Sequence, residues 1–399
     1  MDNRARLASG IFAPIVSRVF KHSYRNFQPM SAFSRLTPLA VSLPSTVPFV
    51  GPEAIERSRG LKVEARIGAN ESGFGPAPSV LLAMRDAAAE TWMYSDPENF
   101  ELKEALAIHH GVARGNIAIG SGVDGLLGEI ARLIVEPGTP VVTSFGGYPT
   151  FNYHVNGFGG KLVTTPYVDD HENLDGLLDL VIRENAPLVY FANPDNPMGS
   201  WWEASEVVAF ARALPETCLL ILDEAYCETG PISAVPAIDA LIGQPNILRM
   251  RTFSKAYGLA GARVGYAIGT LGNVEAFDKI RNHFGMARIS VAGALAALKD
   301  QAYLHEVVGK ISDARDRISA IARNNGLSPL PSATNFVTID CHRDGAYARA
   351  IVDGLMDHGV FIRMPGVAPL NRCIRVSAGT ADKLDLFEQA LPKVLKAIG

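Results

Sequence analysis

A chain of 399 residues that is 48% hydrophobic and 20% charged has ordinary globular composition, enough for one large domain and a smaller one. Its formal net charge of -4 argues against nucleic acid or an anionic membrane surface as partner. Its four cysteines, at 218, 227, 341 and 373, have no CxxC spacing and no histidine cluster for zinc, so they read as free thiols of a reducing cytoplasm.

No apolar run is long enough to span a bilayer, and no internal repeat or low-complexity tract is present. Residues 1–29 carry Arg4, Arg6, Arg18, Lys21 and Arg25 against Asp2, a net charge of +4. A transit peptide is one reading of this segment. We read residues 1–30 instead as an over-extended start, since Met30 begins a plausible shorter chain, or as a disordered arm. Residues 31–66 are expected to join the smaller of two lobes. From about Asn116 to Gly269, short apolar strands alternate with amphipathic helices. Strands are predicted at Ile117–Ile119, Pro140–Thr143, Leu162–Thr164, Leu188–Phe191, Leu219–Leu222, Ile247–Arg249 and Arg263–Ile268. Such alternation implies an α/β fold with a mostly parallel sheet covered on both faces. Ligands in such sheets bind at the carboxyl ends of strands. After about Arg281 the pattern changes to a long helical stretch, Val291 to Arg323, with a break near Tyr303. Strands at Thr334–Asp340 and Cys373–Ser377 follow, with helices at Ala346–His358 and Ala381–Ala397. No Gly/Ser-rich linker intervenes, so the two lobes are expected in tight contact.

The chemistry-bearing residues fall in the loops. Gly120-Ser121-Gly122-Val123-Asp124-Gly125 joins a strand to a helix, where backbone N–H groups and the helix dipole favour an anion. The turn is either a phosphate cradle or a tight connection. It lacks the glycine spacing of a dinucleotide site, which counts against a nicotinamide oxidoreductase. Tyr148-Pro149-Thr150-Phe151 supplies aromatics after the next strand. Asn193-Pro194-Asp195-Asn196-Pro197-Met198-Gly199 is a stiff loop in which Asn196 can donate a side-chain hydrogen bond. Asp223 ends an apolar strand, where a carboxylate is costly unless paired, and a protonated ring nitrogen is a suitable partner. Tyr226 lies three residues on. The run from Arg251 to Arg263 places Lys255 among hydroxyls and glycines. A lysine that forms an imine with an aldehyde cofactor needs close backbone approach, which the glycines permit. Thr252, Ser254 and Arg263 offer hydroxyls and a fixed cation to a phosphate. Arg375 sits between apolar residues in Cys373-Ile374-Arg375-Val376-Ser377 and can bind a carboxylate or phosphate in bidentate fashion. Arg363 is a second candidate for the same anion.

Together these motifs resemble the pyridoxal-phosphate aminotransferases of fold type I, and more narrowly the histidinol-phosphate aminotransferase family, from about residue 48 to the end. The resemblance implies a mostly parallel seven-stranded sheet with helices on both faces, a large cofactor-binding domain over 67–284 and a small α/β domain over 285–399. It implies pyridoxal 5'-phosphate as cofactor, held as a Schiff base by Lys255. Asp223 then pairs with the ring nitrogen, Asn196 and Tyr226 with the phenolic oxygen. Gly122, Val123, Asp124, Thr252, Ser254 and Arg263 surround the phosphate, and Phe151 stacks on the ring. Tyr94, in Tyr94-Ser95-Asp96-Pro97, reaches the phosphate of a neighbouring subunit, which requires a homodimer with shared sites. Arg375 and Arg363 bind the substrate anion, and Asn70, in Gly68-Ala69-Asn70-Glu71, closes over the site.

Two positions depart from that family. Phe49 stands where it usually has a tyrosine whose hydroxyl helps hold the substrate phosphate, which leaves room for a different donor. Met198 replaces a customary threonine. Arg288 and Trp201-Trp202 have no role in this reading beyond a solvent-facing charge and packing. The expected reaction is transamination between histidinol phosphate or a related amino acid and a 2-oxo acid such as 2-oxoglutarate, in the cytoplasm, serving amino-acid biosynthesis. No metal, nucleic acid or membrane is implied. An aromatic amino-acid aminotransferase or an amino-acid-phosphate decarboxylase would share every cofactor motif. A non-catalytic binding domain is disfavoured because every chemical role is filled.

Overall fold

The computed structural model describes residues 35–44 and 50–399. The readings of residues 1–30 and of Phe49 fall outside the described residues. Within 35–44 a short helix, Pro38–Ser42, starts on Thr37, whose side chain accepts the Ala40 N–H at 3.2 Å. Among the described residues no helix is long and apolar enough to cross a membrane.

The strands, in chain order, are β1 Ala65–Arg66, β2 Ile117–Gly120, β3 Pro140–Ser144, β4 Lys161–Thr165, β5 Leu188–Ala192, β6 Leu219–Asp223, β7 Ile247–Thr252, β8 Gly265–Ile268, β9 Ser328–Pro329, β10 Phe336–Asp340, β11 Val360–Phe361 and β12 Cys373–Ser377. Seven of them form one sheet in the order β2-β8-β7-β6-β5-β3-β4. Its pairings are parallel except at β8, which is antiparallel to both neighbours. This is the expected mostly parallel sheet. Strands covered on both faces read as continuous apolar runs, and β5 shows why. Leu188, Tyr190 and Ala192 enter a core with the Gly122–Ile134 helix, while Val189 and Phe191 enter another with the Leu174–Glu184 and Ala204–Ala213 helices.

One feature of the topology positions the site. β3 leads outward to β4, and the chain then returns past β3 to β5. The β3–β5 pairing stops at Val142 and Val189, so the two strands part at their carboxyl ends. Divergence of this kind makes a ligand crevice.

The remaining strands form an antiparallel sheet of order β12-β10-β9 and a parallel pair, β1 with β11. Of these, β1, β10, β11 and β12 share a separate core with the Gln301–Asn324, Gly345–Asp357 and Ala381–Ile398 helices. The helical break expected near Tyr303 lies instead at Asp300. That aspartate follows the Arg288–Lys299 helix and caps the next, accepting the Tyr303 N–H at 3.2 Å. The strands β1, β9 and β11 are two residues each, too short to leave a periodic signal.

Candidate active site

Two adjoining cavities, of about 210 and 450 Å³, share Ala69, Asp124, Tyr148, Asn196 and Lys255 in their walls. The smaller also takes in Asp223, Tyr226, Thr252, Ser254 and Arg263; the larger takes in Asn70, Arg363 and Arg375.

At the floor of the smaller cavity β6 ends on Asp223, and the acid that follows it, Glu224, has the opposite fate. Glu224 is gripped by Arg249, at 2.6 and 3.0 Å, and by Arg251 at 3.0 Å. Burial alone would push its carboxyl up, but the two guanidiniums outweigh that and leave it below the ordinary range. Asp223 has neutral partners. Its carboxylate accepts the Tyr190 hydroxyl at 2.7 Å and the Ala225 N–H at 3.0 Å. Burial pushes it up to about 6, against the pull of those two hydrogen bonds. Asp223 is therefore the acid that still lacks a cation.

At the other end, Gly122 opens the Gly122–Ile134 helix with φ of 76°. A Cβ on it would stand 2.4 Å from Arg263 Nη2, and one on Gly265 would stand 2.7 Å from the Gly122 carbonyl carbon and the Val123 nitrogen. Only a glycine at 265 lets these backbones meet. Around them, Thr252 donates to Ser254 Oγ at 2.9 Å and Arg263 Nη1 donates to the same oxygen at 3.3 Å. Asp124 accepts the Tyr148 hydroxyl at 2.7 Å and lies 3.8 Å from Arg263 Nη2. Hydroxyls, a guanidinium and a helix start thus converge, as phosphate binding demands.

Lys255 stands between the two ends. Its Nζ donates to the Asn70 carbonyl oxygen at 3.4 Å and lies 5.3 Å from the centre of the Tyr226 ring. Tyr226 Oη accepts from Asn70 Nδ2 at 3.0 Å and from Asn196 Nδ2 at 3.5 Å. Asn70 is itself pinned by Ser377 Oγ at 3.0 Å and by Asn335 Nδ2 at 3.0 Å.

In the larger cavity Arg363 and Arg375 face each other across two backbone hydrogen bonds of 2.7 and 3.2 Å. Arg375 Nη1 donates to Asn196 Oδ1, while its buried Nε has no hydrogen-bond partner. Burial lowers both guanidiniums, Arg375 to about 10. Two desolvated cations in one wall suit an anionic ligand. Arg363 Nη2 also donates to the Val50 carbonyl at 3.0 Å, one residue after Phe49.

Phe151 lies elsewhere than expected. Phe151 is fully buried, stacked on Tyr190 with ring centres 4.7 Å apart, and lines neither cavity. Tyr148, the residue before the Pro149–Gly157 helix, is the aromatic that faces both. Phe151 sits one turn into that helix and points to the sheet. Tyr94 lines neither cavity of its own chain and is 77% exposed. Arg288 is partly exposed, and it donates to the Tyr94 carbonyl at 2.8 Å and to Glu90 at 3.3 Å. Met198 packs with Leu370 and Cys373, and its N–H donates to Asp195 at 2.9 Å, so the loop keeps its shape without a threonine. Trp202 Nε1 donates to the Glu172 carbonyl at 2.9 Å. Tyr190, Ser377 and Asn335 have no signal in the sequence, since each reads as a plain strand or loop residue.

Residues 65–391 match the family described as aminotransferase class I and II. The chain is 34% identical over 340 residues to histidinol-phosphate aminotransferase 1 of Mesorhizobium japonicum, covering 83% of this chain and 90% of that one. It is 28% identical over 370 residues to histidinol-phosphate aminotransferase of Moorella thermoacetica, covering 92% and 95%. Among solved structures, histidinol-phosphate aminotransferase from Sinorhizobium meliloti in complex with pyridoxal-5'-phosphate superposes with a TM-score of 0.91 at 68% identity, covering 93% of this chain and all of that one. With residues 65–391 matching the family and a 34% identical relative covering 83% of its length, the chain belongs to the class I and II aminotransferases.

Proposed function

We propose that this aminotransferase moves an amino group between histidinol phosphate, or a donor built like it, and a 2-oxo acid such as 2-oxoglutarate, with pyridoxal phosphate as its cofactor. One observation carries the reading. The Lys255 amine stands in the wall common to a cavity that ends on Asp223 and a cavity that ends on Arg375.

The smaller cavity fits pyridoxal phosphate. The Gly122 turn, where a Cβ would stand 2.4 Å from Arg263 Nη2, suits a phosphate beside Thr252, Ser254 and Arg263. Asp223, the buried acid without a cation, suits the ring nitrogen, and Asn196 with Tyr226 suits the phenolic oxygen. Lys255 is the residue to hold the aldehyde carbon, and Tyr148 the aromatic available to the ring. When bound, the cofactor supplies an electron-poor ring that takes up the electrons of the donor's α-carbon bond.

The chain's own residues do the rest. Lys255 removes the proton at the donor's α-carbon and returns it on the far side of the reaction. Asn70 aims the amine through its carbonyl oxygen and aims Tyr226 through its amide. Asp223 holds positive charge under the ring. Arg375 and Arg363 bind the substrate's phosphate or distal carboxylate, which orients the α-carbon toward Lys255. Phe145, Met364 and Val367 also line the larger cavity, and they support an aromatic amino acid as a second donor reading.

Two further elements belong to this reading. Tyr94, Trp92 and Phe284 are 77%, 82% and 54% exposed, and Tyr94 packs on Phe284 with ring centres 4.8 Å apart. An exposed apolar patch that carries a site tyrosine supports a homodimer with sites shared between subunits. Four buried, unpaired cysteines support a cytoplasmic setting. We assign cofactor binding to residues 67–284 and the substrate-side lobe to 285–399.

A donor screen that follows the visible spectrum of the bound cofactor tests the proposal. Rapid conversion by histidinol phosphate, with release of the keto product, is the expected result. Response to phenylalanine or tyrosine alone would establish the aromatic reading, and release of carbon dioxide would replace transamination with decarboxylation.

A further inference from the structure

Glu172 stands where β3 and β5 part. Its Oε1 accepts the Ala192 N–H at the end of β5 at 3.0 Å, and its Oε2 accepts the Ser144 hydroxyl at the end of β3 at 2.6 Å. Its carboxyl group lies against that of Asp195. Asp195 in turn accepts the Tyr167 hydroxyl at 2.8 Å and the Met198 N–H at 2.9 Å. Each acid is 2% exposed, and neither lines a cavity. Two bare carboxylates in contact and away from water would repel, so the pair keeps one proton between them. Burial, and then the charge of Asp195, push Glu172 well above the usual range.

What the pair grips is the Asn193–Gly199 loop. The residue after Asp195 is Asn196, whose two side-chain atoms meet Arg375 and Tyr226. The next carbonyl, of Pro197, accepts Thr338 Oγ1 from β10 at 2.7 Å. A shift of Asp195 would therefore be felt where Asn196 meets Arg375 and Tyr226.

We propose that Glu172 and Asp195 act as one positioning unit that sets where Asn196 meets Arg375, and so governs how tightly the substrate anion is bound. The unit touches neither substrate nor cofactor. The inference rests on the assignment of Arg375 to the substrate anion made above.

Steady-state kinetics of the holoenzyme with 2-oxoglutarate test it. E172A is expected to raise KM about tenfold, the effect of losing one well-placed hydrogen bond, with kcat changed less than about threefold. E172Q keeps a donor toward Asp195 and an acceptor for Ala192, and is expected to restore KM. In an N196A background, E172A is expected to add nothing, because both act through one contact. Y167F removes one hydrogen bond from Asp195 and carries the same expectation in milder form, should E172A fold poorly. Independently of activity, the infrared difference between the wild-type apoenzyme and E172Q at neutral pH is expected to show the carbonyl stretch of a protonated carboxylic acid. Additive KM effects in the N196A background, no rescue by E172Q, or no acid band would overturn the inference. A wild type inert toward 2-oxo acids would overturn the functional reading and the inference with it. An active wild type whose KM ignores these variants would overturn the inference alone.

Discussion

The carbonyl oxygen of Asn70 receives the hydrogen bond of Lys255 Nζ at 3.4 Å, while its side-chain amide donates to Tyr226 at 3.0 Å. Both contacts need the left-handed backbone of Asn70, with φ of 55°. Asparagine adopts it more readily than other non-glycine residues. Asn70→Ala loses the Tyr226 bond and strains the turn, together about 2–3 kcal/mol. We expect kcat/KM to fall roughly 30- to 100-fold in steady-state assays. An unchanged value would show that the Asn70 side chain does not position Tyr226.

Asp223 makes a pH prediction for the apoenzyme. A buried acid raised to about 6 holds its proton more tightly folded than unfolded. Its ionisation therefore subtracts stability as pH rises from about 4 through 6, on the order of 2–3 kcal/mol. Asp223→Asn removes that loss. The variant should gain on wild type across this window in thermal unfolding, and the gain should vanish below about pH 4. Adding pyridoxal phosphate should return wild type toward the variant, since the cofactor brings the missing cation. A constant difference at all pH values would mean that Asp223 is not buried as a lone acid.

Gly265→Ala tests the phosphate cradle. Its Cβ would stand 2.7 Å from the Gly122 and Val123 backbones, which must then shift. Overpacking of this kind costs about 1–3 kcal/mol. Because the displaced atoms are the cradle itself, we expect cofactor affinity, measured by titrating the apoenzyme, to drop at least about tenfold. A stability loss with unchanged affinity would place the phosphate elsewhere.

Mixing two dead variants tests the shared site. Lys255→Ala and Tyr94→Ala each cripple every site of their own homodimer. A hybrid dimer holds one site with both residues intact and one with neither. Equal mixing after reversible dissociation should restore activity in about a quarter of all sites, provided that Tyr94 acts across a two-fold interface. No recovery would confine Tyr94 to a local role in its own chain.

Much of the site is legible in the amino-acid sequence, and what is legible there is local. Lys255 with Thr252 and Ser254, the Asn193–Gly199 loop and Asp223 at a strand end are each defined by residues a few positions apart. Their chemistry follows from turn geometry and from the cost of burying a charge. Phe151 and Tyr148 show where this stops. Both are aromatic, and both flank the same helix start. Which one meets the cavity depends on how that helix lies against Tyr190 of β5. Glu172 is a plain loop acid until β3 and β5 are seen to part around it.

The sequence by itself determined the alternating strand and helix order and the lysine motif, because apolar periodicity and turn chemistry act within a few residues. Tertiary structure alone decided that Asn70 meets Lys255 across 185 positions and that Ser377 pins Asn70 across 307. It also decided which of two adjacent acids, 223 or 224, is left without an arginine. Such contacts are chosen by how whole elements pack on one core, and no local preference encodes them.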